Sequence, residues 1–477
     1  MWAAVRQLTG RRHKDEVCDG ITAETLNQHY AQISTDTAYQ RPPRKLTATH
    51  RDEDFVSEWQ LFSILDTLPP TSTGLDHLPA WFLRLGAPVF SKPLANLFNK
   101  SLTTSTVPLQ WKRAFIQPVP KTASPLVHSD FRPISITSVL CRTFERIIVK
   151  QFLYPAILAP PPSLSFTDQF AFRPTGSTTA ALIAILQSIT DQLSANPFVI
   201  VIGLDFSKAF DTLRHDTLLS KMAHLDIPDP IYNWLVDYFS EHQHSTRFRG
   251  SMSQLLEITA SIIQGSVIGP VSYVVSASDL STSTPGNSMF KYADDTYVVI
   301  PACNASSRVA ELDNVAKWAV TNNLQLNRAK SVEIIFENRR HRSQPCYPPA
   351  LPDIRRVTSI KMLGVTFTNH LSMSDHVRDV IARCGQTLYA LKVLRTHGMS
   401  DDSLREIYKA VVLAKLMYAS PAWWGFTAAS DRQQIDALVR RGVRFGLAGD
   451  PTPSQLAEDA DDILFSRILA NEHHGDN

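Results

Sequence analysis

Two apolar runs that end on carboxylates constrain this chain more than any other feature. FVIVIGLDF, residues 198–206, is rich in β-branched residues, and its length and composition describe a buried strand. It closes on Asp205, read either as a functional carboxylate or as a cap on the helix that follows. SMFKYADDTYVVI, residues 288–300, places apolar stretches on both sides of Asp294 and Asp295, the pattern of a tight hairpin with both carboxylates at its tip. Only tertiary folding can bring Asp205 to that tip.

Carboxylates gathered at strand ends repel one another and hold their protons unless a cation neutralises them. Mg2+ is suited to neutralising them, because it takes one or two carboxylates together with waters and substrate phosphates. Two such ions about 3.5–4 Å apart can hold the attacking and leaving oxygens of phosphoryl transfer. The chemistry this constellation serves is nucleotidyl transfer. Neither G-x-x-x-x-G-K-[ST] nor G-x-G-x-x-G occurs, so a P-loop ATPase or a Rossmann enzyme has no motif behind it. His242 and His244 have no third ligand nearby and read as surface residues, not metal ligands.

At roughly 100 to 200 residues per domain, a chain of 477 residues allows several packed units. With 44% hydrophobic and 19% charged residues it is globular rather than fibrous or extended. The 47 Lys and Arg against 45 Asp and Glu leave a net charge of +2, so any nucleic-acid contact must use local patches. Cys18, Cys141, Cys303, Cys346 and Cys384 are scattered without a C-x-x-C pair, which argues against a disulfide framework and a structural zinc site. No apolar run approaches the roughly 18–20 residues of a membrane span, and the start has no apolar signal core. The expectation is an intracellular chain with no membrane partner.

Along the chain, residues 1–51 read as a polar, loosely packed leader around one weak helical stretch, ITAETLNQHYAQI, ending in the basic QRPPRK. VSEWQLFSILDTL and APVFSKPLANLFNKSL carry helical periodicity. AFIQPVP and RPISITS predict a hairpin leading into a helix through VLCRTFERIIVKQFLYPAIL. TTAALIAILQSITDQL predicts a helix ahead of the first carboxylate strand, and SVIGPVSYVV another. Further helices are expected at 306–323, 375–397, 402–418 and 429–446, with strands near 332–336 and 360–366.

An ordered series of segments resembles the reverse transcriptases of non-LTR (LINE-like) retrotransposons, from about residue 55 to 447. The series is GLDFSKAFDTLRHDTLL at 203–219, QGSVIGP at 264–270, YADD at 292–295, LQLNRAKS at 324–331 and KMLGVTF at 361–367. Upstream, TGLD at 73–76, WKRAFIQPVPK at 111–121, DFRPISITS at 130–138 and DQFAFRPTGSTTAAL at 168–182 look like the family's fingers segments. YKAVVLAKLMYASPAWW at 408–424 resembles the region that follows its palm. The KAFD and YADD context favours this branch over group II intron-like or telomerase-like enzymes.

The resemblance implies an α+β right-hand polymerase. Its parts would be a leader at 1–51, fingers at 52–196, an antiparallel-sheet palm at 197–370, a helical thumb-like region at 371–447 and a tail at 448–477. It implies that Asp205, Asp294 and Asp295 are the metal-binding catalytic aspartates, holding two Mg2+ ions for which Mn2+ can substitute. Lys121 and Arg132 match residues that grip the incoming triphosphate, where charge-assisted contact to phosphate is the rationale. Phe210 matches the position that packs on the nucleotide sugar and disfavours a 2′-hydroxyl. Gln264 and Gly265 match the loop that positions nucleotide and template, and Lys330 a palm lysine near the triphosphate. The implied partners are an RNA template, a DNA primer or target, and dNTP, with action in the nucleus and no implied oligomeric state. The basic stretches NRRHR at 338–342 and RRGVR at 440–444 are candidates for phosphate contact or for a solvated face. Asp211 and His215 also fit the family pattern, although capping and packing account for them.

Three departures stand out. Ser261, Ile262 and Ile263 stand where the family has Gly-Val-Pro, which predicts a loosened or misplaced Gln264. Ala171 and Thr175 replace glycines, and Gly176 replaces an arginine, so one positive contact is missing. The short leader leaves no room for the endonuclease that precedes the polymerase in many relatives. The expectation is therefore an RNA-directed DNA polymerase from a truncated copy, with a catalytically silent nucleic-acid-binding remnant as the alternative.

Overall fold

The computed structural model describes residues 20–46, 55–174, 176–338, 346–447 and 452–470. They form two compact units, each built from separate stretches of chain: Met1–Leu158 with Phe210–Ser272, and Ala159–Ala209 with Tyr273–Asn477. Both mix helices with sheets that are mostly antiparallel, as the α+β expectation requires.

The second unit is organised by a five-stranded sheet in the order Arg355–Val357, Val332–Glu337, Phe198–Leu204, Asp295–Pro301, Ser288–Tyr292. All neighbours are antiparallel except the first pair. Phe198–Leu204 lies in the middle, and Val199, Ile200 and Val201 are fully buried, which explains an unbroken apolar run where a half-exposed strand would alternate. Helix Thr178–Ala195, whose N-cap Ser177 accepts from the Ala180 N–H, packs Leu182, Ile185 and Ile189 into the same core as Val199, Val201 and Val299. That core runs on through helices Ser374–Thr396 and Ala429–Arg444. Inside the sheet, the fully buried Glu333 is paired with Arg308 and Arg356.

Two expected elements differ here. The strand expected at 360–366 is a hairpin, Ser359–Met362 with Val365–Thr368, because Leu363 and Gly364 turn the chain at φ 45° and 91°. The helix expected at 402–418 starts as Asp401–Ile407 and widens into a π turn over Tyr408–Leu413.

In the first unit, Arg113–Pro120 and Phe131–Ile136 form the expected hairpin, and Arg113–Pro120 also pairs in parallel with His242–Phe248. His242 and His244 are therefore sheet residues, 2% and 5% exposed, and not the surface residues that their polar surroundings suggest. Burial drives their imidazoles down to about 3 and about 4, so both are neutral at physiological pH.

Helix Ala23–Ile33 covers this strand with Leu26, Asn27 and Tyr30 buried. The Asn27 Oδ1 accepts from His244 Nδ1 at 2.8 Å and Thr246 Oγ1 at 2.9 Å. Arg41 and Arg44 of QRPPRK reach Asp237, which also holds the buried Lys112 at 2.9 Å. The described part of the leader is thus packed, because its polar residues have partners far along the chain. Cys18, Thr175 and residues 339–342 of NRRHR lie outside the described residues. Within the tail, Pro453–Leu469 is helical. No described helix is long and apolar enough to cross a membrane.

Candidate active site

The sheet register delivers the carboxylates. Strands Phe198–Leu204 and Asp295–Pro301 pair up to Leu204 opposite Thr296, so the next step of the same register sets Asp205 against Asp295. On the other side, Tyr292 pairs with Asp295, leaving Ala293 and Asp294 as a two-residue turn. Ala293 stands at φ 56°, a left-handed conformation that costs a non-glycine residue free energy and persists only where its surroundings impose it.

Charge at this tip is poorly compensated. The Asp295 side chain reaches solvent, yet the protein packed beneath it, then Asp294, then Asp205 push its carboxyl up to about 6. Burial also raises Asp205, opposed by the charge of Lys330. Tyr273, buried on helix Ile268–Ser276, has its phenol raised first by burial and then by Asp294 and Asp295, so it remains a protonated hydroxyl beside them. In the sequence Tyr273 stands only as one apolar position of a helix.

The segment carrying Lys330 also holds the backbone of Asp205. The Asp205 N–H donates to Ser331 Oγ at 3.1 Å, and its carbonyl accepts from the Asn327 N–H at 2.8 Å. Ser331 Oγ in turn donates to the Asn327 carbonyl at 2.8 Å. Ser331 is fully buried, so these are protected bonds.

Among the described residues no group of three or more His, Cys, Asp or Glu forms a ready-made metal cage. The donor set fits Mg2+ nonetheless. Three carboxylates, one of them raised to about 6 by burial and then by the other two, are an oxygen-only set that a cation would stabilise, and Mg2+ completes its shell with water and substrate oxygens.

The other expected site residues lie in the first unit. Lys121 follows the last pair of the Arg113–Pro120 hairpin and donates from Nζ to the Ser129 carbonyl at 2.9 Å. Arg132 is exposed on the opposing strand, across from Val119. Phe210 is half-buried in the short helix Ala209–Thr212, and its carbonyl accepts from the Ile262 N–H at 2.6 Å.

Gln264 and Gly265 press against strand Phe131–Ile136. The Ser135 N–H donates to the Gln264 carbonyl at 2.7 Å, and a Cβ on Gly265, at φ 122°, would meet the Ser135 carbonyl oxygen at 2.2 Å. Gln264 Nε2 donates to Asp211 Oδ1 at 2.6 Å. His215 Nε2 donates to the Ser261 carbonyl at 2.7 Å. Asp211 and His215 are thus ties for this loop, a role that the capping and packing read from the sequence do not include. A third anchor is the fully buried Glu145, whose Oε2 accepts from the Val267 and Ile268 N–H groups at 2.5 and 3.1 Å.

The loop is not loosened at 261–263 as expected. Ile262 and Ile263 are buried and the Ser261 N–H donates to the Leu213 carbonyl at 3.0 Å. The departure appears instead as strain, since Ser261 sits at φ 99°, a conformation suited to glycine.

Among the expected residues, then, Asp205, Asp294, Asp295 and Lys330 belong to one unit. Lys121, Arg132, Phe210, Gln264 and Gly265 belong to the other.

Comparison with known proteins matches residues 119–367 to the family described as reverse transcriptase (RNA-dependent DNA polymerase). The chain is 28% identical over 370 residues to the probable RNA-directed DNA polymerase from transposon BS of Drosophila melanogaster, covering 74% of this chain and 40% of that protein. It is also 28% identical over 373 residues to the RNA-directed DNA polymerase from the mobile element jockey of the same organism, covering 74% and 39%. The chain thus spans about two fifths of the length of these relatives. Among solved structures, telomerase from Candida tropicalis with a fragment of telomeric RNA aligns over 81% of this chain and 59% of that one, at 12% identity and a TM-score of 0.42. With more than half of its length matched, the chain belongs to the reverse transcriptase (RNA-dependent DNA polymerase) family, and its curated relatives are polymerases of non-LTR elements.

Proposed function

We propose that this chain extends a primer 3′-hydroxyl with dNTPs on an RNA template, using Asp205, Asp294 and Asp295 to hold divalent metal. The observation that supports the reading is the sheet register, which pairs Leu204 with Thr296 and Tyr292 with Asp295, so that Asp205 follows directly on the last pair of one strand and Asp294 lies in the turn of the neighbouring hairpin. Mg2+, when bound, supplies Lewis-acid stabilisation of the phosphoryl oxygens and activation of the 3′-hydroxyl. Lys330, whose charge acts on Asp205, adds positive potential for a triphosphate. Lys121 and Arg132 supply phosphate contacts from the fingers hairpin, Gln264 and Gly265 shape the nucleotide-facing loop, and Phe210 favours deoxynucleotides. The division into fingers at 52–196, palm at 197–370 and thumb-like region at 371–447, a DNA primer or target, and action in the nucleus belong to the same proposal. They are supported by the family resemblance.

The test is primer extension on poly(A) RNA with oligo(dT), dTTP and Mg2+, comparing the parent with the Asp294→Asn, Asp295→Asn double variant. Extension by the parent alone is expected. Extension by neither, from folded protein that binds the primer–template, overturns the reading.

Ser261 favours a second reading, a catalytically silent nucleic-acid-binding remnant, because a serine strained at φ 99° occupies a glycine position of the family. Activity gained by Ser261→Gly with Ile263→Pro, from an inactive parent, supports that reading.

A further inference from the structure

The hairpin bearing Asp294 and Asp295 is held from the side by residues 168–171 of the same unit. The Lys291 N–H donates to the Asp168 carbonyl at 2.7 Å and the Phe170 N–H to the Lys291 carbonyl at 2.8 Å, so this segment runs parallel to the incoming strand. Lys291 is 1% exposed, and its Nζ reaches Asp168 Oδ2 at 2.9 Å and the Ala277 and Leu280 carbonyls at 2.7 Å each. Those contacts fix the strand one pair short of the turn, where Lys291 lies opposite Thr296. They leave open what fixes the turn itself.

Gln169 is 2% exposed, and its Oε1 accepts two backbone N–H bonds, from Ala171 at 3.0 Å and from Ala293 at 3.1 Å. Ala293 is the left-handed residue whose conformation sets where Asp294 and Asp295 go. The Gln169 Nε2 is buried with no hydrogen-bond partner among the described residues. A stranded amide nitrogen is costly, and an apolar side chain of the same size would avoid it. What an apolar side chain cannot supply is the oxygen that holds the Ala293 amide.

We propose that Gln169 is a positioning residue for the catalytic hairpin, its Oε1 locking Ala293 so that Asp294 and Asp295 present their carboxylates to metal. This rests on the reading of those aspartates as metal-binding. Fixing a group that orients metal ligands is worth about 10- to 100-fold in metal affinity where it has been tested.

The experiment compares the full chain with Gln169→Leu and Gln169→Glu by hydrogen exchange of a peptide covering Lys291–Thr296 and by Mn2+ binding followed by electron paramagnetic resonance. Neither readout requires turnover. Gln169→Leu, which removes the acceptor, is expected to lose protection at the hairpin and to weaken Mn2+ binding by about tenfold or more. Gln169→Glu keeps an acceptor oxygen and is expected to recover both in large part. Parent-like exchange in Gln169→Leu overturns the proposal, and so does lost protection with unchanged Mn2+ affinity. If Gln169→Leu fails to fold, Gln169→Glu decides, because weakening of Mn2+ binding as severe as in the Asp294→Asn, Asp295→Asn variant removes the acceptor from the argument. That double variant is also the separate control: parent-like Mn2+ binding there sinks the reading of the carboxylates, while the exchange result still reports whether Gln169 holds the hairpin.

Discussion

The hairpin of Asp294 and Asp295 and the loop of Gln264 and Gly265 are both held away from their local preference, but by different physics. At the hairpin the opposition is electrostatic: burial of its charge, then Asp294 and Asp205, push Asp295 up to about 6. At the loop it is steric, with Ser261 at φ 99° and Gly265 at φ 122° against the Ser135 carbonyl. A cation can relieve the first kind of opposition at the moment of binding. Only a change of side chain relieves the second.

Gly265→Ala is the strongest break of the loop. A Cβ placed 2.2 Å from a backbone oxygen cannot be accommodated by a rotamer change, so strand Phe131–Ile136 or the loop must move. Strain at such a position adds about 1–3 kcal/mol before the clash is counted. The expected result is a loss of stability above about 3 kcal/mol in urea titration. A fall of about 100-fold or more in dTTP incorporation should accompany it, the scale of misplacing substrate by about 1 Å. Parent-like incorporation would mean that the close approach to Ser135 does not shape a loop that faces the nucleotide.

Ser331→Ala is the counterpart on the carboxylate side. It leaves the Asp205 N–H without its 3.1 Å acceptor in a buried setting, which costs about 1–3 kcal/mol. Because Ser331 makes no charge contact, kcat should fall with little change in the KM for dTTP. A change confined to KM would assign Ser331 to substrate binding instead.

How much of this is legible in the sequence follows the same division. The run FVIVIGLDF and the apolar flanks of the YADD tip announce buried strands because backbone burial selects β-branched residues locally. The three carboxylates are visible for the same reason, as charges where apolar runs stop. His242, His244, Glu145 and Gln169 are not legible, because each is a buried polar group whose fate depends on distant parts of the chain. The partners in three of these cases are Asn27 for His244, Val267 and Ile268 for Glu145, and Ala293 for Gln169. Periodicity reports which face is apolar, and says nothing about which polar side chain will find a partner. The hairpin at Ser359–Thr368 escapes for a smaller reason, since one non-glycine residue, Leu363, takes a left-handed conformation beside Gly364.

Ser261→Gly sharpens the comparison from the other side. Relieving a left-handed serine should stabilise the chain by about 1 kcal/mol, less the entropy that glycine restores to the unfolded state. The measurement is a shift of the urea midpoint at unchanged slope. A destabilised variant would show that Ser261, whose Oγ donates to the Ile262 carbonyl at 3.1 Å, contributes more through its side chain than it loses through its backbone.

The smallest effect distinguishes the two kinds of opposition most cleanly. A carboxyl whose folded value is raised to about 6, above its ordinary 3.8, binds its proton more tightly in the folded state, so stability falls as pH rises from about 4 to about 6 and stays reduced above that. Asp295→Asn removes this penalty and should raise the Tm at pH 7.5 by roughly 2 °C, a modest shift for a chain of this size. The advantage should shrink as pH falls towards about 4, where Asp295 itself carries a proton. Mg2+ should raise the parent Tm at about pH 7.5 and leave Asp295→Asn nearly unmoved, because the ion and the substitution relieve the same repulsion. Ser261→Gly should keep its full advantage at every pH and Mg2+ concentration. If the Ser261→Gly gain also vanished on adding Mg2+, loop and hairpin would share one source of strain, and the division between steric and electrostatic opposition would fail.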